Sequence, residues 1–236
     1  MNAPINIIPL ENLMIMFVPP LIIIAIMHYW SHDWKNIIYA LTRMLGQLLL
    51  MGYVLSYIFS SKNYNHILVI LLMMIALASW ISLRTVPEKR LYFLKSAFLS
   101  IFFGGGIVLL LVTQIVLEVD PWFSPQNLIP LGGMIFASSM NGVSLAAERL
   151  IAETNRGLNF ENAKGIALRA SLIPIINSLF AVGLVSFPGM MTGQILSGVA
   201  PHIAVRYQIL VMLMLFSAVG FTSVFFLRFM KKVSNI

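Results

Sequence analysis

Residues 66–83 read HILVILLMMIALASWISL, with no Asp, Glu, Lys or Arg until Arg84 closes the run. A helix that crosses the hydrocarbon core of a bilayer needs about 20 mostly apolar residues, and this stretch has that length and character. Working outward from it, apolar runs bounded by charges, turns or Pro recur at roughly 12–30, 36–60, 96–117, 126–147, 175–198 and 204–228, giving seven in all. The composition agrees. Of 236 residues 59% are hydrophobic and 10% charged, with a mean hydropathy of +0.92. A packed soluble domain of that make-up would leave too much apolar surface facing water. The expected fold is all-α, a polytopic transmembrane helical bundle of about seven spans forming a single domain over residues 1–236. Repeats, low-complexity segments and linkers are not evident in the sequence.

The charges test that count. Lys and Arg number 15 against 8 Asp and Glu, and they fall in short segments between apolar runs rather than in one patch. That distribution excludes a nucleic-acid surface and points to membrane orientation. With the N-terminus outside, the inner segments hold Lys35, Arg84, Lys89, Arg90, Lys95, Arg149, Arg156, Lys164, Arg169, Arg228, Lys231 and Lys232. The outer ones hold Lys62 and Arg206. The positive-inside rule therefore predicts an N-outside, C-inside chain. Met1 to Leu10 has no Lys or Arg and no small-residue cleavage pattern, so the first run is expected to remain as a span.

The fifth and sixth runs are diluted by Gly132, Gly133, Ser138, Ser139, Asn141, Gly183, Pro188, Gly189, Thr192 and Gln194. Small residues allow close backbone approach, and polar ones avoid lipid, so these helices should face other helices or a pathway. Between them lies the longest stretch outside the spans, about residues 148–173. Asn159 and Glu161 signal a helix start there, and Lys164 and Arg169 suit its C-terminal end, so a short amphipathic surface helix is expected. Such a helix serves either to dock a cytoplasmic partner or simply to lie on anionic lipid.

Other features carry a plain reading beside a functional one. Arg43 and Gln47 share a helical face within the second run, and either line a polar path or let Arg43 reach the headgroups. Pro188 and Gly189 interrupt the sixth run, as a hinge or as an ordinary kink. Gly104, Gly105 and Gly106 mark a tight crossing or local unwinding. Met residues number 15, but without Cys or a His cluster they read as filler rather than as copper ligands. His28, His32, His66 and His202 sit near different interfaces. All eight carboxylates lie outside or at the ends of the runs, so intramembrane hydrolysis or acyl transfer is poorly supported. The chain has no phosphate-binding Gly-rich loop ending in Lys and Ser or Thr.

Five segments together resemble a known family. They are Ile129-Pro130-Leu131-Gly132-Gly133-Met134-Ile135; Ser144-Leu145-Ala146-Ala147-Glu148-Arg149-Leu150; Leu172-Ile173-Pro174; Val182 through Gly193; and Tyr207-Gln208-Ile209. Gly52-Tyr53-Val54-Leu55 extends the likeness weakly toward the N-terminus. The chain resembles the permease of the bacterial Fet-type iron-export ABC transporter, a family related to plant aluminium-tolerance permeases. The resemblance implies a multi-pass permease in the bacterial cytoplasmic (inner) membrane, working beside a cytoplasmic ABC ATPase subunit and a second permease copy. Membrane lipid is the remaining partner, and nucleic acid is not one. On this reading the chain is not itself catalytic and binds no cofactor, ATP-Mg being held by the ATPase.

Glu161, Lys164, Gly165, Leu168 and Arg169 would couple to the ATPase, Pro188 and Gly189 would form a hinge, and Arg43 and Gln47 would be polar groups within the membrane. Ser138, Ser139, Asn141, Asn177, Met190 and Gln194 are the candidate pathway residues. The chain departs from the family pattern at Ala137-Ser138-Ser139-Met140, usually Gly-Asn-Ala-Met, and in a cytoplasmic loop shorter than usual. It also has Asn177 and Phe180 where Asp and Lys are usual. A lost Asp removes a hard anionic ligand for a cation, whereas loss of Asp and Lys together removes a neutral ion pair. The other class consistent with the sequence is a membrane scaffold or regulator that retains the permease fold without transport.

Overall fold

The computed structural model describes residues 9–30, 34–59 and 63–231. Met1 to Ile8, His32, Lys62 and Lys232 lie outside the described residues. Seven helices among those described are long and apolar enough to cross a membrane. The only extended pairing among the described residues is an isolated bridge between Val182 and Ser186. The polytopic helical fold expected from the apolar runs is therefore present.

The chain divides into two compact units, Met1–Ser61 and Lys62–Ile236. The first holds α1 (Leu10–Ile15), α2 (Val18–Trp30) and α3 (Trp34–Phe59). Pro19 and Pro20 fall in the first turn of α2, where the missing N–H groups have no helical partner to serve. Hydrogen bonds from Phe17 N to Met14 O (3.1 Å) and from Leu21 N to Phe17 O (3.1 Å) carry the chain across the junction, so α1 and α2 make one span, Leu10–Trp30. His28 near the end of α2 meets Trp34 at the start of α3 edge-on at 5.3 Å. Ile24 and Ile58 are the buried apolar side chains described in this unit. Nearly all its Leu, Ile and Met side chains stand exposed, as lipid-facing helices require.

The second unit is a bundle built around α7 (Pro125–Asn155), which packs against α4 (Tyr64–Ser82), α8 (Phe160–Ala181) and α10 (Pro201–Lys231). Its core joins Ile67, Leu71 and Ile75 of α4, Ile135, Val143 and Ala147 of α7, Ala163 and Ala167 of α8, and Val211, Ala218 and Phe226 of α10. The span Pro87–Val116 contains α5 (Arg90–Ser100) and α6 (Gly106–Leu110), with π-helical turns at Ile101–Gly105 and Leu111–Val116. Three buried hydroxyls are satisfied by their own helices: Ser79 donates to Ile75 O (2.7 Å), Ser100 to Ala97 O (2.8 Å) and Thr113 to Leu109 O (2.8 Å). An apolar solvent offers such groups no other partner.

Within the glycine triplet, Gly104 explains how the fourth span sits so close to α10. A Cβ at Gly104 would lie 2.7 Å from both the backbone N and Oγ1 of Thr222, and 2.8 Å from its Cα. At Gly142 a Cβ would lie 2.9 Å from Val219 Cγ1 and 3.0 Å from Ser223 Oγ. Two glycines on different helices thus bring both backbones onto one stretch of α10, as packing without a hydrophobic driving force favours. Thr222 Oγ1 donates to Ser139 Oγ (3.1 Å) between these contacts.

The sixth span differs from the run at 175–198. Its helix, α8, covers Phe160–Ala181, and α9 (Gly189–Leu196) is a separate short helix. Gly183 ends α8 in a left-handed conformation (φ +83°), which residues with a Cβ rarely adopt. Val185 N then donates to Ala181 O (2.8 Å) and Gly183 N to Ser186 O (3.0 Å), closing a tight loop before Pro188. Upstream, the segment read as a separate surface helix runs without a break into α8. Asn159 caps it, with Asn162 N donating to its Oδ1 at 2.9 Å. The fifth helix likewise continues to Asn155, because Glu148, Arg149 and Glu153 end the apolar stretch without ending the helix.

Candidate functional site

A crevice of about 230 Å³ opens where α7, α8 and α10 meet. Its polar wall is formed by Ser138 and Asn141 of α7 with Ser171 and Ser178 of α8. Leu145, Leu215 and Val219 supply apolar walls. Gly142 lies between the α7 groups, where its missing side chain lets Val219 approach. Depth follows from helix rise. α7 has 31 residues, roughly 46 Å at 1.5 Å per residue, and Ser138 and Asn141 fall near its middle. Ser171 falls at the middle of α8 with Ser178 about two turns nearer its C-terminal end, and Leu215 and Val219 fall in the middle of α10, so the crevice runs from about mid-membrane toward the C-terminal end of α8.

Its chemistry is that of neutral oxygens. Ser171 Oγ donates to Leu168 O (2.8 Å) and Ser178 Oγ to Pro174 O (3.0 Å), which leaves the hydroxyl lone pairs free to accept. Pro174 lines the crevice between them, and having no N–H it leaves the carbonyl of Ala170 without its helical donor. No charged side chain lines the space. Among the described residues no group of three or more His, Asp or Glu side chains could hold a metal ion. A neutral oxygen set replaces part of a cation's water shell or hydrogen-bonds a polar solute without trapping either, which suits passage more than storage.

The structure brings two of the expected pathway residues, Ser138 and Asn141, into this crevice. Ser139 is one position further round the helix, fully buried, and holds α7 to α10 through Thr222. Asn177 is exposed on α8 and Met190 is exposed on α9, away from the crevice lining. Gln194 is half-buried on α9 with its Oε1 buried and unpartnered among the described residues. Pro188 is the residue immediately before α9 and Gly189 its first member, so both lie at a real break in the helix. Arg43 and Gln47 are exposed along α3 of the first unit. Ser171 and Ser178 were not foreseen. Their spacing with Pro174 marks one helical face, but that is visible only once α8 is known to begin at Phe160.

At the turn joining α7 and α8, Lys164 Nζ pairs with Glu161 Oε2 at 2.5 Å. Leu168 is half-buried against the core, while Gly165 and Arg169 are exposed. A second feature there was also missed. Glu153, whose side chain is only 6% exposed, is held by Arg149 (2.8 Å, Nη2 to Oε1) and by Arg156 (3.1 Å, Nη1 to Oε1). The sequence signal was the Arg149, Glu153, Arg156 spacing, at i,i+4 and i,i+3. The clamp fixes the last turn of α7 and the start of the turn that presents α8.

The model of the Uncharacterised protein family (UPF0014) matches residues 10–159 and 160–234. The chain belongs to that family. A UPF0014 membrane protein of Synechocystis is 35% identical over 76% of this chain and 75% of its own. The probable iron export permease protein FetB of Escherichia coli is 34% identical over 80% and 78%. The Arabidopsis thaliana protein ALUMINUM SENSITIVE 3 is 32% identical over 80% and 73%. No solved structure matches the chain. This UPF0014 member is a multi-pass membrane protein.

Proposed function

We propose that this UPF0014 protein is the membrane-spanning permease subunit of an ABC transporter that exports a metal ion, iron by analogy with its bacterial relative, or another small solute. The observation that carries the reading is the mid-membrane crevice of neutral oxygens between α7, α8 and α10, in a chain 34% identical to an iron export permease. The crevice forms the central part of the pathway. The break between α8 and α9 is the element that moves, since it interrupts the continuous helix between Ala181 and Gly189. A separate ATPase binds ATP-Mg and docks at the α7–α8 turn, where Glu161, Lys164, Gly165 and Arg169 are presented. A second permease copy completes the transporter.

The proposed orientation is N-outside and C-inside, in the bacterial cytoplasmic membrane. The cations at the ends of α7, α8 and α10 support it. The chain has no Cys, so single Cys substitutions at Leu158 and Val119 give a clean accessibility test. Impermeant thiol reagent should label Val119→Cys in intact cells and Leu158→Cys only after permeabilisation.

The functional test is co-purification of the tagged chain from native membranes, with ATPase turnover measured with and without iron(II) and other metal ions. A co-eluting ATPase whose turnover rises with one ion supports the transporter. A chain that elutes with no nucleotide-binding partner leaves the scaffold reading in its place.

A further inference from the structure

Apart from the crevice, the second unit holds a cavity of about 550 Å³ at one end of the bundle. Its lining draws on four helix ends: Lys89 and Tyr92 at the start of the fourth span, Ile151 and Thr154 in the last turns of α7, Phe160 opening α8, and Met230 closing α10. Its level in the membrane follows from the helices. Residues 150–154 lie roughly 38–44 Å along α7 from Pro125 at 1.5 Å per residue. The hydrocarbon core is about 30 Å thick and the headgroups extend the bilayer to about 40–45 Å. The cavity therefore lies at headgroup level, whichever side of the membrane this end faces.

The lining is amphiphilic and its charge has one sign. Phe160, Ile151 and Met230 offer an apolar wall, and Tyr92 adds a ring packed on Phe93 at 5.5 Å. Lys89 is the charged group on the lining. The neighbouring Arg90 is committed elsewhere, its Nη2 donating to Trp80 O at 2.6 Å and its guanidinium 3.6 Å over the Trp80 ring. No carboxylate lines the cavity. Glu153 is clamped by two arginines, Glu161 pairs with Lys164, and Glu88 and Glu148 face outward. Thr154 Oγ1 donates within its own helix, to Leu150 O at 2.9 Å or Ile151 O at 3.0 Å. Its oxygen is left to accept.

From this geometry we infer that the cavity is a binding site for an anionic phospholipid. The phosphate pairs with Lys89, a headgroup hydroxyl such as that of a glycerol headgroup donates to Thr154, and the acyl region lies along Phe160, Ile151 and Met230. A basic pocket between helix ends at headgroup level has the chemistry for such a lipid. The lipid would tie together four helix ends, including both sides of the α7–α8 turn.

The test is native mass spectrometry of the full chain, delipidated in detergent and titrated with phosphatidylglycerol or phosphatidylcholine of the same acyl composition. Phosphatidylglycerol should be retained about fivefold more tightly, the effect of one lysine at a membrane surface. Lys89→Gln should abolish that preference and Lys89→Arg restore it. Arg84→Gln, at the same end but off the cavity lining, should leave it unchanged. Equal retention of the two lipids, equal loss in Lys89→Gln and Arg84→Gln, or displacement of the lipid by millimolar inorganic phosphate alone would each overturn the inference. The last outcome would assign the site to free phosphate.

Discussion

Replacing Gly104 by Ala should be among the most damaging single-methyl additions in the bundle, because of what the methyl meets. A Cβ there lies 2.7 Å from the backbone N of Thr222, against about 3.4 Å for ordinary contact, so the fourth span and α10 must part by the difference, about 0.7 Å. Backbone has no rotamer through which to escape. A displacement of that size forfeits a quarter to a half of the dispersion attraction along the seam, and overpacking costs about 1–3 kcal/mol. The Thr222 to Ser139 hydrogen bond, 3.1 Å long, lies in the same crossing and is worth about 1 kcal/mol if it is lost. The expected loss is about 2–4 kcal/mol. Gly106→Ala is the control, since a Cβ there meets nothing within 4 Å. Ala in a helix is favoured over Gly by about 1 kcal/mol. Equilibrium unfolding in mixed micelles, followed by Trp fluorescence, should separate the two variants in opposite directions. If Gly104→Ala unfolds with or after wild type, the close crossing is not a determinant of this fold.

The remaining predictions concern the crevice and the α7–α8 turn. Asn141→Leu and the pair Ser171→Ala with Ser178→Ala should each lower substrate-stimulated ATPase turnover of the reconstituted complex about tenfold while leaving the size-exclusion profile intact; unchanged turnover would remove the crevice from the pathway. Glu153→Gln leaves Arg149 and Arg156 without their shared anion. Because both arginines are substantially exposed the cost is discounted to about 1–2 kcal/mol, read as faster hydrogen exchange over 149–158. Asn159→Ala removes the cap of α8 and should cost about 1 kcal/mol, with the amides of 160–163 losing protection first.

The amino-acid sequence was most legible where lipid is the solvent. Runs such as 66–83 declare their helices through hydropathy alone, because an apolar solvent demands apolar side chains on the exposed face. Hydropathy was a poor guide to where those helices end. Glu148 to Asn155 continues α7 as polar helix beyond the apolar stretch, and Phe160 to Ser171 belongs to α8 although its charges suggested a surface segment. Asn177 lies about 100° round α8 from Ser178, and Met190 and Gln194 belong to the separate helix α9, so all three lie apart from the crevice that Ser171 and Ser178 line. Ser138 and Asn141 were found because polar groups at mid-helix need a polar neighbour. Ser139, equally polar in sequence, fills the same need by bonding Thr222, a contact between residues 83 apart that no local pattern announces.

The sixth crossing also bears on how the protein is made. Its best window is the least apolar of the seven, it carries Pro174 internally, and at 22 residues it stops roughly 13 Å short of the far end of α7 by helix rise. Alone in lipid, the Ala170 carbonyl, which Pro174 leaves without a helical donor, would be poorly solvated. The segment is thus a weak candidate for independent insertion by the translocon. It should dwell at the insertion machinery until α7 and α10 can receive it. Synthesis of this short chain would then have one late, assembly-dependent step, and truncation before α10 would leave the sixth segment outside the bilayer.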